Sequence, residues 1–508
     1  MDKIIVLDFG GQYCHLISRR VRDLGVYSEV LPNSTTKEDL LKISGIKGVI
    51  LSGGAASVYD DTSPKCGAEM LELGVPLLGI CYGHQLIAQL AGGEVETASS
   101  GEYGETEMQV ISGGELLAGL DKEETVWMNH KDVVKTLPGG FLTLANTIHS
   151  PVAAYANPDK KLYGVQFHPE VTHTVHGDNV FENFVIDICG AQKGWDSSNL
   201  VRMISDEAKQ TIGSRKAVLG LSGGVDSSVA AAMLAPVLGK NLTAVYVDTG
   251  LMRHKETDFI RRIFEAYDFD LRIVDASSRF FAALKGVLDP ELKRKAIGKT
   301  FIDVFDEIAA EVGAEVLVQG TIYSDRIESG ITKHSDNIKS HHNVGGLPKD
   351  MKLEVYEPLR ELYKDEVRRL AREIKLPEEI ITRHVFPGPG LGVRIVGEVT
   401  PERADVCRRA GYIVEDELHK AGLYEKVWMG FAVHLPIKNV GIQGDSRSYK
   451  SPIIVRIIES KDAMTANYSK LPYEVLDAIS TRITNEVKEV NRVAYDISNK
   501  PPATMEWE

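Results

Sequence analysis

A chain of 508 residues, 43% apolar and 26% charged, carries core material for about three domains and has no apolar run near the ~18 residues that a membrane-crossing helix needs. Its five cysteines stand scattered at 14, 66, 81, 189 and 407 without a Cys-x-x-Cys pair, which argues against a disulfide framework or a zinc site and for reduced thiols in a cytoplasm. The net charge of −14 falls mostly on the first 190 residues, an acidic surface unsuited to tracking nucleic acid.

The start of the chain runs straight into a strand over Ile4 to Leu7, with no signal-peptide pattern. Asp8-Phe-Gly-Gly-Gln12 then turns it into an amphipathic helix ending near Gly25. Val26 to Leu31 and Val49 to Leu51 give further strands, each followed by turn or helical material. Strands alternating with helices predict a doubly wound parallel sheet, with the chemistry at its carboxyl edge. Pro76 to Ile80 is another strand, and Cys81-Tyr-Gly-His-Gln85 turns from it into a helix over Leu86 to Leu90. A thiol on such a turn, under a helix N-terminus, has a lowered pKa and free N–H groups beside it for an oxyanion. Gly83 permits the close approach that this elbow needs. Leu162 to Phe167 is a strand again and leads into His168-Pro-Glu170. Two-residue spacing puts His168 and Glu170 on one side of extended chain, a base with a carboxylate to orient it. Cys14, Cys66 and Cys189 read as packing residues.

Cys-x-Gly-x-Gln after one strand and His-Pro-Glu after a later one resemble the class I glutamine amidotransferase domain, over the full length of residues 1–190. The resemblance implies Cys81 as nucleophile, His168 as base and Glu170 as the acid that orients it. It also implies Leu51-Ser-Gly-Gly54 as an oxyanion loop, with the N–H groups of Gly54 and Tyr82 as donors. Ala55 stands where relatives usually place Pro, a difference that removes no donor.

Residues 191–383 open on a polar linker, Gln192 to Ser198, followed by a helix from about Ser198 to Ile212. Ala217 to Leu221 is a short apolar strand, and Ser222, Gly223 and Gly224 make a tight turn. Ser227 or Ser228 is then expected to cap an Ala-rich helix through Leu238. Two glycines let the backbone approach a bulky anion, and the free N–H groups of a helix start point at it. The turn lacks the Lys of a P-loop; its charged residue is Asp226, suited to holding a Mg²⁺ that holds phosphate. Ser222-Gly-Gly-Val-Asp-Ser-Ser228 resembles the pyrophosphate loop of ATP pyrophosphatases, which split ATP between the α and β phosphates. That likeness assigns Ser222, Gly223, Gly224, Val225, Asp226, Ser227 and Ser228 to ATP, and Asp226 to Mg²⁺. Leu242 to Val247, Leu271 to Val274 and Val316 to Gly320 continue the strands, and by resemblance the edge at Asp248 to Arg253 lies against the adenine. Asp325 and Glu328 read equally as ligands for Mg²⁺ or substrate and as solvated surface. Ser329 to Lys352 is a long Gly-rich stretch without periodicity, which reads as a lid. Its histidines lack cysteines and a zinc spacing, so Lys333, Lys339 and His341 read as a basic lid over phosphates. Ile338 to Pro348 resembles such a lid in the glutamine-hydrolysing GMP synthetases.

Residues 384–508 begin at Phe386-Pro-Gly-Pro-Gly-Leu-Gly392, the richest Pro/Gly stretch of the chain. A helix from Pro401 to about Ala421 follows, then strands at Phe431 to Leu435 and Ile453 to Ile458, then a helix opened by Pro472. Val475, Ile479, Ile483 and Val487 recur every four residues on that last helix, an apolar stripe that reads first as core. This composes a small α+β domain. Gly441 to Arg447 is a polar turn, and in the tail Lys500 to Glu508 Trp507 is costly to leave in water, which implies a docked end. Both stretches resemble the motifs with which GMP synthetases bind xanthosine monophosphate (XMP), implying Gln443, Lys500 and Glu506 as contacts. The three segments match that family in order. The resemblance therefore implies a homodimer through the last domain, and small-molecule substrates (glutamine, ATP and XMP) with neither nucleic acid nor membrane as partner.

Overall fold

The computed structural model describes residues 1–323, 353–443, 445–460 and 465–508. The chain forms two compact units, Met1–Asn199 and Leu200–Glu508, taken in turn below. No described helix is long and apolar enough to cross a membrane.

The first unit is built on a nine-stranded sheet. Its strands are β1 (Lys3–Asp8), β2 (Tyr27–Pro32), β3 (Ile46–Leu51), β4 (Leu77–Ile80), β5 (Glu94–Val110), β6 (Glu123–Thr136), β7 (Leu142–Asn146), β8 (Ala154–Asn157) and β9 (Leu162–Val165). They lie in the order β2-β1-β3-β4-β9-β8-β7-β5-β6. The half from β2 to β9 is parallel, as the alternation of strands and helices predicts. The half from β9 to β6 is antiparallel and includes the long β5–β6 hairpin. On β1, Ile4 and Val6 face one apolar cluster while Ile5 and Leu7 face another. Both faces are therefore covered, which is why this strand reads as an unbroken apolar run. Helices α1 (Cys14–Asp23), α2 (Lys37–Leu41), α3 (Tyr82–Leu90) and α4 (Gly177–Glu182) complete the layers. The elbow helix begins at Tyr82, four residues before the expected start, because the whole Cys81–Gln85 turn is already helical after Cys81.

The second unit carries two sheets. The first is wholly parallel: β10 (Ala217–Gly220), β11 (Leu242–Asp248), β12 (Asp270–Asp275), β13 (Val316–Val318) and β14 (Glu354–Tyr356), in the order β12-β11-β10-β13-β14. Strand order reverses between β10 and β13, the crevice where open α/β sheets bind ligands. Around it run α5 (Ser197–Thr211), α6 (Val225–Leu238), α7 (Glu256–Phe264), α8 (Ser277–Leu284), α9 (Pro290–Val312), α10 (Lys364–Glu373) and α11 (Glu378–Ile381). Beyond its polar first turn, Asp226 to Ser228, helix α6 is apolar and mostly buried, as a helix enclosed by its neighbours should be.

The second sheet holds β15 (Met429–His434), β16 (Asn439–Gln443), β17 (Ser446–Glu459), β18 (Asn467–Tyr468) and β19 (Val490–Tyr495) around the long β17. Helices α12 (Pro401–Lys420) and α13 (Tyr473–Glu486) pack on it. Thr400 caps α12 through Arg403 N–H, with Pro401 in the first turn. Ile479, Ile483 and Val487 are buried in the core shared with α12, and Val475 packs against its edge, so the stripe is core. The architecture is two doubly wound parallel layers followed by an α+β layer, with an antiparallel extension in the first.

Candidate functional site

Cys81 sits at the end of β4 with φ 53° and ψ −102°, a left-handed backbone that strains any residue with a side chain. The turn is held tight from both sides. A Cβ on Gly79 would collide with the Gly83 carbonyl, and one on Gly83 with the Leu51 carbonyl oxygen. The thiol is buried, 3.8 Å from the Asn129 carbonyl oxygen and 3.8 Å from the Gln166 amide nitrogen that donates to it. His168 follows β9, and its Nδ1 is 2.7 Å from Glu170 Oε1. The carboxylate side chain is fully buried. With Nδ1–H given to Glu170, Nε2 is left for the Cys81 sulfur, whose charge acts on the ring. Burial alone would lower the His168 pKa, but Glu170 and then Cys81 outweigh it and hold the ring well above its ordinary 6.5. The arrangement equips His168 to take and hold a proton beside the sulfur.

Ser52 fixes the loop facing this pair. Its hydroxyl accepts from Phe9 N–H at 3.0 Å and donates to the Gly53 carbonyl at 2.9 Å, while its own carbonyl takes Gly83 N–H at 3.1 Å. A Cβ added at Gly53 would stand 3.2 Å from His168 Cε1 and 3.6 Å from Cys81 Cβ. One added at Gly54 would stand 3.3 Å from Tyr82 Cγ. Gly54 and Tyr82 are therefore neighbours beside the thiol, and Tyr82 N–H belongs to the first turn of α3, where the helix has no acceptor for it. The first-unit residues expected to act together are brought together. Sequence reasoning passed over Gln166, Ser52, Arg20, whose Nε donates to the Glu170 carbonyl at 3.0 Å, and Tyr13, whose ring meets His168 edge-on at 5.2 Å. For Gln166 a signal existed: it lies two residues before His168 on extended chain, hence on the same side.

The second candidate site lies at the β10–β13 crevice. Gly223 adopts φ 79°, and α6 starts at Val225 with Gly224 as its N-cap, with no side-chain cap. The expectation that Ser227 or Ser228 caps the helix is thus corrected. Both sit inside the first turn, and their hydroxyls reach back to the Gly224 carbonyl at 3.3 and 2.7 Å. Ser227 Oγ also accepts from Ser222 N–H at 3.2 Å, and Gly224 N–H meets Ser222 Oγ at 3.3 Å. Asp226 has one carboxylate oxygen, Oδ1, buried without a partner. Its other oxygen lies 3.8 Å from Lys364 Nζ, at the start of α10. Among the described residues no cluster of three or more Cys, His, Asp or Glu could cage a metal. That donor set suits an ion held by one carboxylate and by phosphate oxygens, which is how Mg²⁺ is usually bound. Lys333, Lys339 and His341, with Asp325 and Glu328, lie outside the described residues.

The tail is docked, though not by its tryptophan: Trp507 remains 37% exposed. Charges hold it instead. Glu506 makes a bidentate pair with buried Arg394 at 2.9 and 2.8 Å, and Glu508 pairs with buried Lys293. Arg456, 1% exposed, donates to Asp496 and to the carbonyls of Ser498, Thr504 and Met505. Lys500 bridges Ala466 through its backbone, and Gln443 ends β16, its side chain outside the described set. Of the three expected XMP contacts, Gln443 thus stands on β16 and Lys500 and Glu506 stand together on the C-terminal tail.

Comparison with known proteins divides the chain in the same order. Residues 5–188 match the family "Glutamine amidotransferase class-I", residues 197–290 match "NAD synthase", and residues 416–507 match "GMP synthase C terminal domain". The glutamine-hydrolysing GMP synthase of Caldanaerobacter subterraneus is 50% identical over 100% of this chain and 99% of its own. That of Clostridium acetobutylicum is 50% identical over 100% of both. A solved structure from Thermoplasma acidophilum, described as that of a putative GMP synthase subunit, is 36% identical over 37% of this chain and 94% of that one, with a TM-score of 0.33. With half its residues shared over its whole length, the chain belongs to the glutamine-hydrolysing GMP synthase family.

Proposed function

We propose that this chain converts XMP, ATP, glutamine and water to GMP, AMP, diphosphate and glutamate, through residues 1–190 as glutaminase, 191–383 as ATP pyrophosphatase and 384–508 as nucleotide-substrate and dimerisation segment. The observation that carries the reading is the His168–Glu170 hydrogen bond, electrostatically coupled to Cys81 on a strained elbow, in a chain whose later loop at residues 222–228 lies at a sheet's switch point. The Cys81 thiolate attacks the amide carbon of glutamine, and its oxyanion is met by the N–H groups of Gly54 and Tyr82. His168 gives its proton to the departing nitrogen, so the C–N bond breaks and ammonia leaves. A water, deprotonated by His168, then splits the thioester and frees glutamate. At the second site the C2 oxygen of XMP attacks the α phosphorus of ATP, and diphosphate departs. Ammonia adds at C2, AMP leaves with the oxygen, and GMP results.

The residues of the loop have distinct tasks in that scheme. N–H groups at Gly223, Gly224 and Val225 and the hydroxyls of Ser222, Ser227 and Ser228 receive the diphosphate oxygens. Mg²⁺, when bound at Asp226, would neutralise charge on the diphosphate as it forms. The orphaned Asp226 Oδ1 supports that placement, and Lys364 supplies a second positive charge at the loop. Lys333, Lys339 and His341 are proposed to cover the phosphates. Gln443, Lys500 and Glu506 are proposed to hold XMP, with Arg394 fixing the Glu506 carboxylate. The enzyme is proposed to act in the cytoplasm as a homodimer, with small molecules and no nucleic acid as partners. Mixing the protein with glutamine, Mg-ATP and XMP and separating the nucleotides tests the reading. GMP and AMP should appear in equal amounts, with equal glutamate; glutamate formed without GMP would sink the coupling.

A further inference from the structure

A buried ion pair touches the loop at residues 222–228, and the scheme above gives it no task. Glu256 is the first residue of α7, and Arg383 follows α11. Arg383 grips Glu256 with both prongs, Nη1 to Oε1 at 2.8 Å and Nη2 to Oε2 at 2.6 Å. The side chains are 15% and 5% exposed, and the Phe259 ring lies 4.2 Å from the guanidinium carbon. The second hydrogen of Nη1 goes to the loop itself, to the Gly223 carbonyl at 3.1 Å. A Cβ placed on Gly223 would run into Glu256 Oε1, so the pair and the loop backbone are in direct contact. Arg383 is anchored in turn by its neighbour. His384 Nε2 lies 2.7 Å from the Tyr424 carbonyl, and its Nδ1 takes Gly430 N–H at 3.3 Å.

Stability alone does not account for such a pair, because an apolar contact of equal volume serves a buried position at least as well. What an apolar contact cannot do is hold a carbonyl. A peptide unit is planar and trans, so the Gly223 C=O and the Gly224 N–H point in opposite directions. Fixing the carbonyl on Arg383 therefore fixes the next N–H on the other side, where it meets Ser222 Oγ. Two adjacent glycines give this turn wide conformational freedom, and a donor aimed in advance is worth more than one that must be ordered on binding. We propose that Arg383, clamped by Glu256, is a positioning residue for the pyrophosphate loop, holding the Gly223 carbonyl so that the loop's N–H groups face the phosphates before ATP arrives. The proposal rests on the reading of residues 222–228 as the ATP diphosphate site.

Calorimetric titration of the full chain with Mg-diphosphate tests it, because that probe engages the loop and not XMP. Arg383→Met should weaken binding roughly tenfold, the scale of one charge-assisted hydrogen bond, and Glu256→Gln should weaken it in the same direction by less. Arg383→Lys keeps the charge but cannot grip Glu256 twice and reach Gly223 as well, so it should recover only part of the loss. In ammonia-dependent synthesis the KM for Mg-ATP should rise by the same factor, with the KM for XMP unchanged. Variants that melt at lower temperature yet bind Mg-diphosphate like the unaltered protein would overturn the proposal, as would full recovery with Lys. Should Arg383→Met not fold, Glu256→Gln, which preserves size and one acceptor oxygen, decides the matter alone. Failure of the loop reading looks different: the unaltered protein would not bind Mg-diphosphate, or Asp226→Asn would bind it as tightly.

Discussion

A sulfur that only carries the acyl group of glutamine has no part in adenylation, so the two activities should separate at Cys81. Cys81→Ala should lose glutamine-dependent synthesis by several orders of magnitude, while ammonium salt at raised pH restores GMP formation to near the unaltered ammonia rate. Both rates falling together in a protein that still binds ATP would contradict the two-site scheme. Glu170 acts on the neighbouring base. Burial pulls the His168 pKa down and Glu170 is the main influence pulling it up, so Glu170→Gln should move the ring's titration downward, read from its NMR shifts. Because the folded pKa lies above the unfolded one, the ring's protonation stabilises fully below about 6.5 and is lost as pH rises through the raised value. Glu170→Gln should therefore flatten that alkaline loss of stability and cut glutaminase kcat by roughly 10²–10⁴-fold. An unchanged His168 titration would show the carboxylate to be a bystander. Cys81, His168 and Glu170 were legible in the sequence because short motifs on adjacent strands deliver them. Arg383 and Arg394 were not, because their partners lie 160 and 112 residues away, and no local pattern marks a long-range guanidinium.

Among the elements, the strand-to-helix elbow depends on missing side chains. Gly83→Ala would press a methyl group into the carbonyl and Cβ of Leu51, atoms with no flexible end to give way. Overpacking of this kind costs about 1–3 kcal/mol, to be read as a lowered denaturation midpoint with lost glutaminase activity. Gly139→Ala, which meets nothing within 4 Å, should stay within about 0.5 kcal/mol as the control. A Gly83→Ala protein as stable as the unaltered one would mean that the elbow can relax. The parallel strands were readable, since a strand covered on both faces is an unbroken apolar run. The β5–β6 hairpin was not. Its buried side on β6 alternates strictly, but the series is Glu124, Val126, Met128, His130, Asp132, and three polar members conceal the period. Those residues are satisfied by partners that only the fold supplies. His130 reaches Glu102 at 3.1 Å, and Asp132 accepts from Ser57, Tyr59 and Thr97.

Taken whole, the chain is two compact units with complementary chemistry assigned to them. Residues 192–508 alone, which include all of α5, should fold and make GMP from ammonia, Mg-ATP and XMP while ignoring glutamine. A fragment that folds and binds ATP but stays inert with ammonia would show that the first unit contributes to synthesis itself. The backbone of Cys81 has a consequence of another kind. At φ 53° every residue with a Cβ is strained, Ala as much as Cys, and only glycine is at ease there. Cys81→Gly should accordingly melt higher than either, by about 1 kcal/mol of stability, and a melting curve no higher than that of Cys81→Ala would refute this. Any breeding programme that rewards heat survival without demanding turnover will drift towards glycine at this position. The most durable form of the protein is then one that has surrendered its glutaminase.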